Sequence, residues 1–265
     1  MTLGNSCIRP RRGHTDERCE KPLKTITSEA LTRILAALPR MPRILASGNF
    51  ATPFTVLNLI DAAIAEFNLF ILNAQPGIPD REGVRHETAF IGDGMRTSSR
   101  LTYYPCRLSL VPDLVARRLP PDVVVLHTSH PVGGAVSLGI ETNILPAAIE
   151  TTRARGGIVI AQANRSMPVT YGDAMIPLED IDYLIEVDEP LATHRPGAPD
   201  PISDEIGQRI ASLCPEGASL QLGIGGIPDA VLRSLLDGRG YRIWTEMFSD
   251  GVLALEKAGC LDPTV

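Results

Sequence analysis

The stretch that decides the fold reads DVVVLH at residues 122–127, ETNILPAAIETTR at 141–153 and GIVIAQA at 157–163. The first and last pieces are short apolar runs, typical of strands buried on both faces, and the middle piece has helical apolar spacing. A strand, a crossover helix and a second strand form the parallel βαβ unit. This stretch therefore predicts an α/β protein with an open, mostly parallel sheet and helices on both faces.

Upstream the same alternation continues. SEALTRILAAL (28–38) predicts a helix with Ser28 as its N-cap, RILA (43–46) a strand, and Pro53 the start of another helix before the strand NLFILNA (68–74). Between residues 75 and 107 the chain is rich in Gly, Pro, Arg and Ser, which predicts a long surface excursion.

Downstream, a Pro- and Gly-rich stretch at residues 194–201 resembles a linker. We therefore expect a disordered extension at 1–22, an N-terminal α/β domain at 23–198, and the start of a second α/β domain at 199–265. The second block has only two candidate strands, which cannot cover their own edges. Either they join the first sheet, or the chain is the front part of something longer.

Composition narrows the classes of function. The chain has 265 residues, a formal charge of -6 and a sequence pI of about 5.4, which disfavours nucleic acid and anionic membranes as partners. No apolar stretch approaches the ~20 residues that span a bilayer, and the first 22 residues lack the apolar core of a signal peptide. Five widely spaced cysteines favour a reducing cytoplasm over a disulfide framework.

The strongest local motif is QLGIGGIPDAV (221–231), an apolar strand followed by glycines and a helix. Glycines let the backbone approach a ligand, and the amides at the start of a helix favour an anion. Pro228 stands where a dinucleotide fingerprint requires its third glycine, and no Walker lysine follows. The turn over Gly223, Ile224, Gly225, Gly226 and Ile227 is thus either a ligand-binding turn or a structural one.

Other candidates carry weaker signals. Glu246, in IWTEMFSDG, lies at the end of an apolar strand, where ligands collect in open α/β sheets, but a solvated or capping role is also open. The amides of Asn49, Phe50 and Ala51 follow another strand and are candidate donors to an oxyanion. Metal binding by His127 and His130 is disfavoured because no third ligand is in view. Ser129 and Ser249 lack the motif of a serine nucleophile, and Cys106 has no base beside it. A phosphate site at Arg96, Arg100 and Arg107 stays open beside a solvated basic face.

Taken together, LQLGIGGIPDAV and YRIWTEMFSDG closely resemble the acetyl-CoA hydrolase/transferase family, which includes 4-hydroxybutyrate and acetate CoA-transferases. Weaker likeness extends through MPVTYGD (167–173) to ASGNFATP (46–53). Where many members show SPxDxxG, this chain reads SHPVGGAVSLG. Members of the family are much longer, so the resemblance implies a chain that stops before most of its second domain.

The resemblance implies a function in acyl-CoA and acetate metabolism: transfer of CoA between an acyl-CoA and a short carboxylic acid. Glu246 would be the nucleophile of a ping-pong reaction through a glutamyl-CoA thioester, in a cleft between two domains. Residues 223–227 would line the CoA side and residues 49–51 would donate to the oxyanion. No metal or permanently bound cofactor is expected, because CoA enters as substrate. Acyl-CoA hydrolysis, a homo-oligomer, and a non-catalytic chain that needs a separate C-terminal half stay open.

Overall fold

The chain divides into two compact units, residues 1–193 (unit 1) and 194–265 (unit 2). The computed structural model describes residues 24–193 and 200–264. The predicted extension at 1–22 and the predicted domain boundary at 198–199 both lie outside the described residues.

Unit 1 is built on an eight-stranded sheet in which every strand pair is parallel. In chain order the strands in the described part of this unit are β1 (Lys24–Thr25), β2 (Arg43–Ala46), β3 (Phe67–Phe70), β4 (Val84–Thr88), β5 (Leu101–Tyr103), β6 (Val123–Thr128), β7 (Ala135–Ser137), β8 (Ile158–Asn164), β9 (Met175–Pro177) and β10 (Tyr183–Val187). The order in the sheet is β1-β10-β8-β6-β2-β3-β4-β5, which confirms the predicted open parallel sheet. Strands β7 and β9 form a separate antiparallel pair.

Helices cover both faces of this sheet, as predicted. Successive strand residues point to opposite faces, so Ile44 packs into the core under α1 and α2, and Leu45 into the core under α3 and α4. Thr27, one residue before the predicted N-cap, caps α1 by accepting a hydrogen bond from the Ala30 amide. The helices of unit 1 are α1 (Ser28–Leu35), α2 (Phe54–Ala63), α3 (Val111–Arg117) and α4 (Leu145–Ala154).

The predicted surface excursion at residues 75–107 is wrong in part, because it contains β4 and β5, which extend the sheet. Three of the four buried positions of β4 are polar and only Val84 is apolar, so the segment lacks the apolar signature of a strand. Hydrogen bonds make this burial tolerable: His86 Nε2 lies 2.8 Å from the Pro79 carbonyl oxygen, and the Thr88 hydroxyl donates to the Ile71 carbonyl oxygen at 2.6 Å. Glu87 accepts a hydrogen bond from Arg43.

The strand order reverses between β2 and β6. From β2 the chain adds β3, β4 and β5 in one direction; from β6 it adds β8 and β10 in the other. In open α/β sheets, ligands bind at the carboxyl ends of the strands beside such a reversal. The loops that follow β2 and β6 therefore lie where a site is expected.

Unit 2 is smaller, and its two strands pair in parallel in a sheet of their own. Of the two alternatives for these strands, joining the first sheet is therefore wrong. A core of Leu222, Leu232 and Leu255 joins the strands to the helices. Among the described residues no helix is both long and apolar enough to cross a membrane. The elements of unit 2 are α5 (Pro201–Ala211), β11 (Ser219–Leu220), α6 (Gly226–Ser234), β12 (Arg242–Ile243) and α7 (Asp250–Lys257).

Candidate active site

The turn after β2 is a single 3-10 turn over Asn49–Ala51. It packs tightly: a Cβ on Gly48 would lie 2.0 Å from the Leu72 carbonyl oxygen. Two of the three predicted donors already have acceptors. The Ala51 amide donates to the Gly48 carbonyl oxygen at 3.0 Å, and the Asn49 amide donates to the Leu72 carbonyl oxygen at 3.4 Å. Within the described residues the Phe50 amide has no partner, so it is the free donor of this turn.

A chain of amides and one carboxylate braces this turn. Asn49 has a left-handed φ of 46°, and its Nδ2 donates to Glu141 Oε2 at 2.6 Å. Its Oδ1 accepts from Asn73 Nδ2, while Glu141 Oε1 accepts from Asn143 Nδ2. Glu141 is buried, and burial raises its pKa against the opposing effect of the two amide donors.

A second buried network surrounds His127 at the end of β6. Gln162 Oε1 accepts from the Val56 amide at 3.0 Å, and Asn164 Oδ1 accepts from the Glu189 amide at 3.3 Å. These bonds fix both side-chain amides with their NH₂ groups toward His127 Nε2, at 3.4 Å from Gln162 and 3.1 Å from Asn164. His127 Nε2 must therefore accept, which places the ring proton on Nδ1.

His127 also lies close to the Asn49–Ala51 turn. The carbonyl groups of Ala51 and Thr52 lie close enough to raise the pKa of His127, although Nδ1 makes no hydrogen bond of good geometry within the described residues. Burial is the larger effect and lowers the pKa, against the charge of Glu189. His127 is thus packed close to the turn, and its Nε2 is occupied by the side-chain amides of Gln162 and Asn164.

In unit 2 the glycine turn leaves consecutive backbone amides free. No partner within the described residues bonds the amides of residues 223–227, and all five residues are exposed. Gly225, the N-cap of α6, has a φ of 121°, a conformation that favours glycine. Pro228, third in the helix, has no amide hydrogen to contribute. The arrangement presents backbone donors and a helix N-terminus to one side.

Glu246 lies beside this turn because Thr245 ties the two loops together. The Thr245 hydroxyl donates to the Leu222 carbonyl oxygen at 2.8 Å, and the Leu222 amide donates back to it at 3.2 Å. Gly223 follows Leu222 directly, so these bonds tie the loop that contains Glu246 to the start of the glycine turn. Glu246 is exposed, so unit 2 by itself does not supply the desolvation that a nucleophilic carboxylate needs.

The remaining candidates have structural partners or lack chemical ones. Arg96 pairs with Asp93, and Arg100 pairs with Asp80. The Ser129 hydroxyl donates to a backbone carbonyl oxygen rather than to a base. Ser249 is the N-cap of α7, and its side chain makes no capping hydrogen bond within the described residues. Across residues 24–193 and 200–264, no three His, Cys, Asp or Glu side chains form a group that could hold a metal ion.

Sequence reasoning missed the residues that brace the first turn, above all Glu141 and Asn73. A usable signal existed for Asn73, and also for Asn164 in the network around His127. Asn73 closely follows the buried strand β3, and Asn164 is the last residue of the buried strand β8. Polar residues at the carboxyl end of a buried parallel strand are candidates for a site. Glu141 had no such signal, because it lies in a loop far from any strand end of the eight-stranded sheet.

Fold and site together define unit 1 as an open, doubly wound α/β domain with a braced turn at its strand reversal. The chain belongs to the acetyl-CoA hydrolase/transferase family: the family model for the N-terminal domain matches residues 40–193. This confirms the resemblance drawn from the motifs.

Several known proteins are similar over longer stretches. The 4-hydroxybutyrate coenzyme A transferase of Clostridium kluyveri is 40% identical over 67% of this chain and 42% of its own length. The succinyl-CoA:acetate/propanoyl-CoA:succinate CoA transferase of Fasciola hepatica is 32% identical over 81% of this chain and 47% of its own length. The crystal structure of 4-hydroxybutyrate CoA-transferase from Porphyromonas gingivalis superimposes with a TM-score of 0.70 at 30% identity, covering 91% of this chain and 58% of that one. The chain thus spans about half the length of these relatives.

Proposed function

We propose that this chain serves CoA transfer between an acyl-CoA and a short carboxylic acid, with Glu246 as the nucleophile. The observation that supports the proposal is the Thr245–Leu222 link, which ties the loop containing the exposed Glu246 to the start of the glycine turn. Family membership supports the chemistry, and both curated relatives described above are CoA transferases.

In the proposed reaction a Glu246 oxygen attacks the thioester carbonyl carbon, and the carbon–sulfur bond breaks. The products are a mixed anhydride on Glu246 and the CoA thiolate. The thiolate then attacks the glutamyl carbonyl carbon and releases the first acid as its carboxylate, leaving a glutamyl-CoA thioester. A second carboxylate reverses both steps, so no proton is gained or lost overall.

Two backbone elements are assigned to binding and charge stabilisation. The amides of residues 223–227 suit the phosphates of CoA, because free amides at a helix start bind anions. The free Phe50 amide is assigned to the oxyanion of the tetrahedral intermediate; one such donor is typically worth ~2.7–4 kcal/mol. Glu246 is exposed in unit 2, so water must leave it when the thioester binds.

Borohydride trapping tests the proposal. The protein is incubated with acetyl-CoA and treated with sodium borohydride, which reduces a glutamyl thioester to an alcohol, and peptides are analysed by mass spectrometry. We expect the modification at Glu246. It should be absent in Glu246→Gln and present in Glu256→Gln, the same change at another exposed glutamate of unit 2. CoA transfer should fall by more than ~10³-fold in Glu246→Gln, as for loss of other enzyme nucleophiles. An unmodified Glu246 would reject catalysis by this chain alone.

Acyl-CoA hydrolysis is the second candidate, and the exposure of Glu246 favours it because water reaches the carboxylate freely. Release of CoA should then be independent of added acetate, whereas transfer requires an acceptor acid. A chain that acts only with a second polypeptide is the third candidate. The exposed side chains of Ile224, Trp244 and Phe248, close in sequence to the proposed site residues, favour it. Trapping that occurs only with an added C-terminal half of a relative would identify this case.

The compartment is proposed from the cysteines. Within the described part of the chain Cys106, Cys214 and Cys260 are free thiols, although Cys260 is buried and the others partly so. Unpaired cysteines are usual where thiols are kept reduced. We therefore place the reaction in the cytoplasm.

A further inference from the structure

A buried carboxylate that the proposed reaction does not use lies behind the Asn49–Ala51 turn. Glu141 is 6% exposed and is bonded on both oxygens, to the side-chain amides of Asn49 and Asn143. Among the described residues no cation pairs with it. Its charge is therefore met by these amide donors, and hydrogen bonds to ionised groups are the stronger kind.

The carboxylate dictates which way the Asn49 side chain faces. Both Glu141 oxygens accept hydrogen bonds from side-chain amides, so Asn49 turns Nδ2 toward Glu141 and Oδ1 away from it. Oδ1 then accepts from Asn73 Nδ2. The side chain of Asn49 is held at both ends by partners distant in sequence.

Holding this side chain also holds a backbone conformation that asparagine adopts only at a cost. Asn49 and Asn73 both have left-handed φ values, 46° and 48°. Outside glycine such a conformation costs up to roughly 1–3 kcal/mol, less for asparagine than for most residues, and it persists where the surroundings enforce it. The Phe50 amide follows Asn49 directly, so its direction depends on the φ and ψ of Asn49.

We propose that Glu141 is a positioning residue: its carboxylate fixes Asn49 in the left-handed conformation and so aims the free Phe50 amide. The positioning of the turn follows from the hydrogen bonds alone. Its effect on catalysis rests on the proposed function, in which the Phe50 amide meets an oxyanion.

Hydrogen exchange measures the turn without requiring activity. In ¹⁵N-labelled protein the Ala51 amide, bonded to the Gly48 carbonyl at 3.0 Å, reports closure of the turn, and the Val125 amide in β6 reports global stability. Glu141→Gln puts one donor where only acceptors stood, so Asn49 loses its fixed orientation. We expect the Ala51 amide to exchange at least ~10-fold faster, after correction for any change at Val125.

Glu87→Gln is the matched control. Glu87 is also 6% exposed and is bonded by Arg43 and Tyr104, outside the turn. The same chemical change there should accelerate Ala51 and Val125 together. Equal acceleration of the two amides in Glu141→Gln would overturn the proposal, because Glu141 would then support the fold in general.

Asn49→Gly approaches the same bond from the other side and keeps the test decisive if Glu141→Gln folds poorly. Glycine adopts the left-handed conformation without strain but cannot reach Glu141. Exchange at Ala51 should again rise by about 10-fold, and adding Glu141→Gln should raise it no further. Unchanged exchange in Asn49→Gly, or additive effects in the double variant, would contradict the proposal.

The catalytic arm separates this inference from the proposed function. Where CoA transfer is measurable, Glu141→Gln should lower kcat by about 10–100-fold with little change in KM, because misplacing a catalytic group by a small distance has effects of this size. An unchanged kcat alongside faster Ala51 exchange would overturn the catalytic part of the inference. Failure of borohydride trapping in the parent protein would remove the proposed function but leave the exchange result standing.

Discussion

The Asn49–Ala51 turn and the Gly223–Ile227 turn begin alike and are held in opposite ways. Each follows a parallel strand, includes a glycine or follows one directly, and leads into a helix that starts close to the carboxyl end of that strand. The first is braced from the side by Glu141 and underlain by His127. The second is exposed and leaves its amides without partners in the described chain.

This difference separates two physical strategies for presenting backbone amides. In the first turn nearly all polar groups make hydrogen bonds within the described chain, and one amide is left free. A single fixed donor of this kind suits a small group such as an oxyanion. The second keeps a row of amides free beside a helix N-terminus, which suits a larger anion. Stability changes should therefore be large at the first turn and small at the second.

The largest contrast is expected from the glycines that precede the free amides. In Gly48→Ala the new Cβ would lie 2.0 Å from the Leu72 carbonyl oxygen, whereas in Gly223→Ala the nearest atom would lie 3.8 Å away. We expect Gly48→Ala to lower the free energy of unfolding of unit 1 by about 3 kcal/mol, and Gly223→Ala to change that of unit 2 by less than ~0.5 kcal/mol. Hydrogen exchange of β6 and α6 amides measures each unit separately; similar losses in both would contradict the contrast.

A smaller effect is expected from acid, and only at the first turn. The pKa of His127 is lowered by burial, while in the unfolded chain it lies near its ordinary value of about 6.5. As the pH falls below about 6.5 the unfolded state binds a proton that the folded state refuses, so the free energy of unfolding of unit 1 falls by up to ~1.4 kcal/mol per pH unit. The raised pKa of Glu141 acts in the opposite sense above its ordinary value of 4.5.

A variant tests whether His127 causes this dependence of the free energy of unfolding on pH. His127→Gln should remove the His127 part of the dependence between pH 6.5 and 5.5, whatever it does to stability at neutral pH. A slope that persists in His127→Gln would show that another group titrates.

The two turns also differ in how far sequence reveals them. The parallel sheet followed from apolar runs such as DVVVLH, and the glycine turn from local chemistry, because in both cases the residues that matter are neighbours in the chain. β4 was missed because its buried residues His86, Glu87 and Thr88 are polar and find their partners elsewhere in the fold.

The residues that support the candidate site could not be predicted from the sequence because their partners are distant in the chain. Glu141 is 92 residues from Asn49, and Gln162 is 106 residues from Val56. Nothing in the local pattern of either residue indicates such a pairing. Its position after a strand identified the Asn49–Ala51 turn. Within the described residues the Phe50 amide is the one left without a hydrogen-bond partner, and this depends on the contacts of Gly48 and Leu72.

The smallest effect is expected at the link between the second turn and Glu246. Thr245→Val keeps the shape of the side chain but removes the hydroxyl that bonds Leu222 in both directions. We expect the free energy of unfolding of unit 2 to fall by about 1 kcal/mol, measured by exchange of α6 amides. Thr264→Val removes an exposed hydroxyl that bonds Asp262 and should have no effect on α6.

The link matters more for chemistry than for stability. A loss of about 1 kcal/mol in the free energy of unfolding leaves unit 2 almost entirely folded. If Thr245 holds Glu246 near the glycine turn, Thr245→Val should therefore slow borohydride trapping at Glu246 by more than this loss of stability explains. Thr264→Val should trap at the parent rate. Equal trapping rates in Thr245→Val and the parent would mean that Glu246 finds the thioester without this link, and that the second turn, unlike the first, needs no internal support to do its work.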